Sequence, residues 1–138
     1  MDGNALPPSD QLAIHALMGL YGHVIDERQW DQMSALFTTD VVYDMSDFGL
    51  GRLHGMDAIR GLWIEQIPHH PLAHHATNIV ITADSPDKAR VLSKGLGVGH
   101  GGRVGSVVYR DVVRRESQGW RIAERVGQLR RTTPASPS

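Results

Sequence analysis

Apolar residues in the first part of the chain recur at steps of three and four: Leu12, Ala16, Leu17, Leu20, Tyr21, Val24 and Ile25. That spacing lines one helical face, with Ser9-Asp10 resembling its N-cap, and predicts a first helix ending near Arg28. A neighbouring stripe of His15, Gly19, Gly22, His23 and Asp26 is small or polar, although each glycine costs about 1 kcal/mol against alanine in a helix interior. The stripe either leaves room for something beside that face or admits a closely packed sheet. A short helix is expected from Trp30 to Phe37, ended by Thr38-Thr39-Asp40 before the β-rich run Val41-Val42-Tyr43. Gly49 to Gly55 reads as a turn with a short returning strand, and Met56 to Ile67 as a third helix closed by Pro68.

The pattern then changes period. Thr77 to Thr82, Ala89 to Leu96, Val104 to Val113 and Trp120 to Val126 alternate or are β-branched, and Ser85-Pro86-Asp87, the glycines of 95–105 and Ser117-Gln118-Gly119 separate them. These segments predict a four-stranded antiparallel meander. Helices first and strands second indicate an α+β fold, with about three N-terminal helices laid over one face of a curved, mainly antiparallel sheet. Residues 1–8 and 132–138 have no periodicity and read as frayed tails, leaving an ordered body of about 10–130 in one domain spanning 1–138. No internal repeat is visible.

Composition narrows the function classes. The 138 residues include 14 Lys plus Arg against 15 Asp plus Glu, a formal charge of −1, with 41% hydrophobic and 21% charged residues. This is the composition of an ordinary globular chain that buries one core. The absence of cysteine removes disulfides, thiolate nucleophiles and thiolate metal sites. No apolar run reaches membrane-spanning length, and Met-Asp-Gly-Asn-Ala lacks the features of a signal peptide, so the chain reads as cytoplasmic and not membrane-bound. Near-zero charge argues against nucleic-acid binding. Arg114, Arg115, Arg121, Arg125, Arg130 and Arg131 alternate with apolar residues and are expected on a solvated strand face.

The stretch Gly95 to Gly102 is glycine-rich, but no helix with a Lys-Ser/Thr pair follows it, which argues against a phosphate loop. There is no Gly-x-Ser-x-Gly elbow. Four of the eight histidines lie in His69-His70-Pro71-Leu72-Ala73-His74-His75, where Pro71 and strand alternation work against a shared metal, so neither a metal nor another cofactor is expected. Along an unbroken strand His74, Ala76, Asn78 and Val80 share one face and His75, Thr77, Ile79 and Ile81 the other, unless a bulge intervenes. The remaining chemistry is acid–base work by His, Asp and Tyr.

The run Tyr21-x4-Asp26-x3-Trp30-x6-Phe37-x2-Asp40-x2-Tyr43, then His54-Gly55-x-Asp57-Ala58-Ile59, His74-His-Ala-Thr-Asn78 and Tyr109-Arg-Asp with Gly119-Trp120-Arg121-Ile122, resembles the SnoaL-like branch of the nuclear transport factor 2-like superfamily over about 120 residues. The resemblance implies a cone-shaped α+β barrel, a pocket between helices and sheet, and widely varied functions. In its polar residues the chain is most similar to the scytalone dehydratase and hexachlorocyclohexane dehydrochlorinase types, which pair an Asp late in the first helix with a His opening the third strand. Asp26 and His74 stand at those positions, with Asn78 four residues beyond the histidine. Tyr43 matches a strand tyrosine, and His100 approximately matches a second histidine on the following strand. Arg103 and Gly105 stand where a serine and an asparagine belong, a departure from the dehydratase pattern.

An imidazole held by a carboxylate has a fixed tautomer and a raised proton affinity, so Asp26 would orient and His74 would abstract a proton. Tyr43 is the candidate hydrogen-bond donor, or else a core aromatic bonded to backbone. Tyr21, Trp63, Asn78, Leu17, Val24 and His75 are the candidate substrate-binding residues, and Leu20 and Met33 join them in an apolar lining. The resulting expectation is a cofactor-independent lyase or isomerase acting on a hydrophobic small molecule. A non-catalytic binding domain and a structural subunit of a larger oxygenase are the alternatives, distinguished by whether an Asp26–His74 bond opens into a cavity. Apolar residues on both faces of the last strands lead to the expectation of a homodimer formed through the open sheet face.

Overall fold

A computed structural model of the chain describes residues 5–131. Helix α1 runs from Pro8 to Asp26 and α2 from Met56 to Glu65, with a 3₁₀ helix, Trp30–Ala35, between them. Six strands complete the fold: β1 (Phe37–Met45), β2 (Gly51–His54), β3 (Ala73–Ser85), β4 (Lys88–Val98), β5 (Val104–Glu116) and β6 (Gly119–Leu129). They form one sheet in the order β2-β1-β6-β5-β4-β3, antiparallel throughout except where β1 runs parallel to β6. The meander of four late strands and the α+β class are as the sequence predicts.

Several boundaries differ from the periodicity reading. Pro7 and Pro8 start α1 with no side-chain cap, because a proline's fixed φ suits the first helical turn. Ser9 and Asp10 lie inside that turn, and Asp10 instead accepts from Arg115 and Trp120. The helix stops at Asp26, two residues early, and Arg28 adopts a left-handed φ of 54°. Phe37 and Thr38 to Asp40 belong to β1, where Phe37 pairs with Ile122. The short helix gives way at Phe37 because β-branched threonines favour the extended chain. The third helix ends at Glu65, before a 3₁₀ turn at Ile67–His69. Leu6, expected in a tail, is buried against the core, while residues 1–4 and 132–138 lie outside the described chain.

The core fills the concave side of the sheet. Ile14, Met18, Val24, Leu36, Phe37, Ile59, Val91, Val113 and Ile122 are essentially inaccessible there, and Trp63 and Trp120 are buried beside them. Trp30 packs against this core partly buried.

Two irregularities decide which side chains reach the concave face. In β3 the register slips by one residue between Thr77 and Val80, and Asn78 has φ 55°, which marks a bulge. Inward positions beyond it are Ile79, Ile81 and Ala83, while Val80 is 57% exposed, so the expectation that His74, Asn78 and Val80 share a face is corrected. In β6 the pairing with β5 slips between Val112 and Val113, leaving Ala123 as the extra residue. Trp120 and Ile122 point inward before that slip, and Arg125 and Gly127 after it.

Candidate active site

A cavity of about 930 Å³ opens between α1, α2 and the β3-β4-β5 end of the sheet. Glycines make the room on the sheet side. A Cβ at Gly95 would stand 2.4 Å from the Tyr109 ring, and one at Gly127 would stand 2.7 Å from Phe48. Gly95 of β4 and Gly127 of β6 therefore seat aromatic rings against the sheet.

At one wall, His74 opens β3 beside the C-terminal end of α1. Its Nδ1 lies 2.6 Å from Asp26 Oδ1, and its backbone N–H donates to Asp26 Oδ2 at 2.9 Å. An ionised carboxylate only accepts, so Nδ1 carries the proton and Nε2 is left as a free acceptor. Both groups are mostly withdrawn from solvent, with side-chain exposures of 21% for His74 and 16% for Asp26. His74 lines the cavity, and Asp26 stands behind it. The His70 ring sits edge-on to His74 at 6.3 Å between centroids, and burial pulls its pKa below the usual histidine value.

The cavity also reaches a polar floor buried in the sheet. The Tyr21 and Tyr43 hydroxyls are 2.8 Å apart, so one donates to the other and one hydroxyl proton remains available. Burial raises the pKa of both phenols well above 10, keeping them protonated donors. Beneath them Arg125 is held by both Asp111 oxygens, with Nε at 2.8 Å and Nη2 at 2.9 Å. Its guanidinium is stacked between the Tyr21 and Tyr109 rings at 4.1 and 4.0 Å. This buried cation works against the burial effect on both phenols and so makes their hydroxyls better donors.

The expected site residues thus divide. Asp26, His74, Tyr43, Tyr21 and Trp63 converge on the cavity, as do His75 and His100 at its mouth. His100 lies in the 3₁₀ turn His100–Gly102 between β4 and β5, rather than on a strand. Leu17, Val24 and Met33 are buried in the core away from the cavity, Leu20 is partly exposed, and Asn78 forms the exposed bulge. Arg125 was expected on a solvated face and is instead 2% exposed. Strict alternation from Trp120 and Ile122 aims Arg125 outward, and only the extra residue Ala123 turns it in. A buried acid on the facing strand, Asp111, is the signal that could have revealed it. Among the described residues no three His, Asp or Glu side chains gather as a metal cluster would, and no helix is long and apolar enough to cross a membrane.

The chain belongs to the SnoaL-like domain family, whose pattern matches residues 8–126. Among solved structures it is similar to a protein provisionally named an aromatic ring hydroxylase from Novosphingobium aromaticivorans, at 32% identity and TM-score 0.73, covering 93% of this chain and 92% of that one. It shares its fold with a provisionally named scytalone dehydratase from the same species, at 22% identity and TM-score 0.72 over 94% and 90% of the two chains. The same holds for a hexachlorocyclohexane dehydrochlorinase of Novosphingobium barchaimii, at 21% identity and TM-score 0.71 over 96% and 97%. No curated protein matches the sequence.

Proposed function

We propose that the protein is a cofactor-independent lyase or isomerase in which His74, oriented by Asp26, removes a proton from a hydrophobic small molecule. The observation that carries this reading is the short His74–Asp26 hydrogen bond at the wall of an open cavity whose floor presents neutral tyrosine hydroxyls. A structural subunit of an oxygenase has no use for such a cavity, and a passive carrier has no use for an oriented base. The names of the dehydratase and dehydrochlorinase that share the fold favour elimination.

In this reading a ketone oxygen accepts from the free tyrosine hydroxyl while His74 Nε2 takes a proton from the adjacent carbon. The C–H electron pair becomes the enolate double bond, and the tyrosine donor stabilises the oxygen as charge develops on it. A hydroxyl on the next carbon then leaves with its bonding electrons, takes the proton back from the imidazolium and departs as water. Without such a leaving group, return of the proton to a different carbon gives isomerisation. A base so positioned contributes about 10²–10⁴-fold in rate.

Hydrogen–deuterium exchange of the acidic protons of 2-tetralone and other ketones fused to or bearing an aromatic ring, followed by NMR in D₂O, tests the reading directly. Wild-type protein should accelerate exchange, and His74→Gln should not. Equal rates for the two proteins across the ketones would overturn the assignment.

For the assembly we propose a homodimer through the outer sheet face, where Val80 and Leu92 are cross-strand partners and both exposed. Sedimentation should give a dimer at micromolar concentration, and a clean monomer would refute it.

A further inference from the structure

The charged side chains that line the cavity are of one sign. Among the described residues no Asp or Glu reaches its surface, whereas Arg103 and Arg125 do. The whole chain is formally −1, so this asymmetry is one of placement and not of composition. Asp26 stands behind His74 and does not itself reach the cavity surface. Arg125 is already neutralised by Asp111. Arg103 is different. Of the two arginines that line the cavity, it alone has no side-chain partner among the described residues. It closes the turn His100–Gly102, in which Gly101 and Gly102 take φ of 67° and 79°. That tight reversal sets His100 and Arg103 on the same rim of the cavity.

We propose that the cavity takes an organic anion: an apolar, ring-sized body whose carboxylate is met at the mouth by Arg103, with His100 as a second donor. This deepens the proposed chemistry by naming the substrate class, and it rests on that reading only for which end of the molecule reacts. A cation at the exposed rim of a cavity with low-dielectric walls raises the local concentration of anions and orients them charge outward. The uncharged end then lies against Tyr21, Trp63 and the His74 wall. Planar guanidinium suits a carboxylate, which it grips through two parallel hydrogen bonds.

Titration calorimetry with 2-naphthoate and its neutral isostere 2-naphthamide tests the proposal, with glycine amide shifts at Gly95, Gly97 and Gly99 reporting occupancy of the cavity. Wild-type protein should bind naphthoate about fivefold more tightly than the amide, the scale of a partly exposed ion pair. Arg103→Gln should abolish that preference while leaving naphthamide binding unchanged, and added salt should weaken only the naphthoate. Equal affinities in the wild type, or a preference that survives Arg103→Gln, would overturn the proposal. His74→Gln should keep the anion preference, so a failure of the base chemistry is distinguishable from a failure of anion recognition.

Discussion

Gly22 and His74 touch across the junction of α1 and β3: a Cβ added at Gly22 would lie 2.5 Å from the His74 carbonyl oxygen. The contact explains why a helix carries a glycine at that point, since it lets the strand bearing His74 come close enough for Asp26 to hold the backbone as well as the ring. Gly19, one turn earlier, has nothing within 4 Å. Gly22→Ala is therefore expected to lower Tm and to disrupt catalysis together, because the obstructing atom is backbone and one element must shift. Gly19→Ala should be stabilising by up to about 1 kcal/mol through helix propensity alone. Thermal denaturation of the two variants separates the steric role from the helical penalty.

The dyad makes its own prediction. Asp26→Asn keeps the size of the side chain but removes the charge that favours imidazolium, so ketone exchange should fall by orders of magnitude. His74→Gln should cost as much, and the double variant hardly more, because groups acting as one unit are strongly non-additive. His75→Gln, on an exposed neighbour at the mouth, should stay within a few fold of wild type. Exchange rates of the four variants against wild type decide it, and loss in His75→Gln alone would move the base to the other histidine.

Breaking the floor should be costly. Asp111→Asn leaves a buried, stacked Arg125 without its counter-charge, and such losses are worth about 3–5 kcal/mol. Replacing both partners, Arg125→Met with Asp111→Leu, should recover much of that stability, while the tyrosine donors weaken for want of the cation beneath them. Urea unfolding and ketone exchange, measured together, should separate stability from activity in the double variant.

A latch on the far side of the molecule sets an acid dependence. Hydrogen bonds from Arg115 first, and from Trp120, hold the Asp10 carboxyl below its usual pKa. A depressed folded pKa means the contribution is complete above the unfolded value of about 3.9 and is lost as pH falls through the folded one. The difference in Tm between wild type and Asp10→Asn should thus be largest above about pH 5 and vanish in stronger acid. Trp120→Ala should cost more, about 3–5 kcal/mol, as a large truncation in the core.

The first helix and the four late strands could be read before any coordinates from local spacing, and the pairing of Asp26 with His74 from the family resemblance. The positions of Arg125 and Asn78 could not. Both follow from one-residue slips in strand register, and alternation carries no mark of a slip. Periodicity also mistakes part of the buried face of α1: Leu12, Ala16 and Leu20 are exposed, while Ile14 and Met18 are buried with Leu17 and Val24, because steps of three and four fit more than one stripe of an apolar-rich helix and do not show which stripe meets the sheet.

Those slips give each strand two phases. In β3 the even residue His74 belongs to the chemistry and the odd residues Ile79, Ile81 and Ala83 to the packing. In β6 the even residues Trp120 and Ile122 pack, while the odd Arg125 lines the cavity and the odd Gly127 seats Phe48 at its edge. The bulges work as phase shifters that let one end of the sheet be solid and the other hollow without either half dictating the register of its neighbour. Flattening the bulge without shortening the strand would bring His75 into step with α1 while Ile79 and Ile81 stayed anchored, so the choice of which histidine faces Asp26 is written in the backbone at Asn78 as much as in the side chains around it.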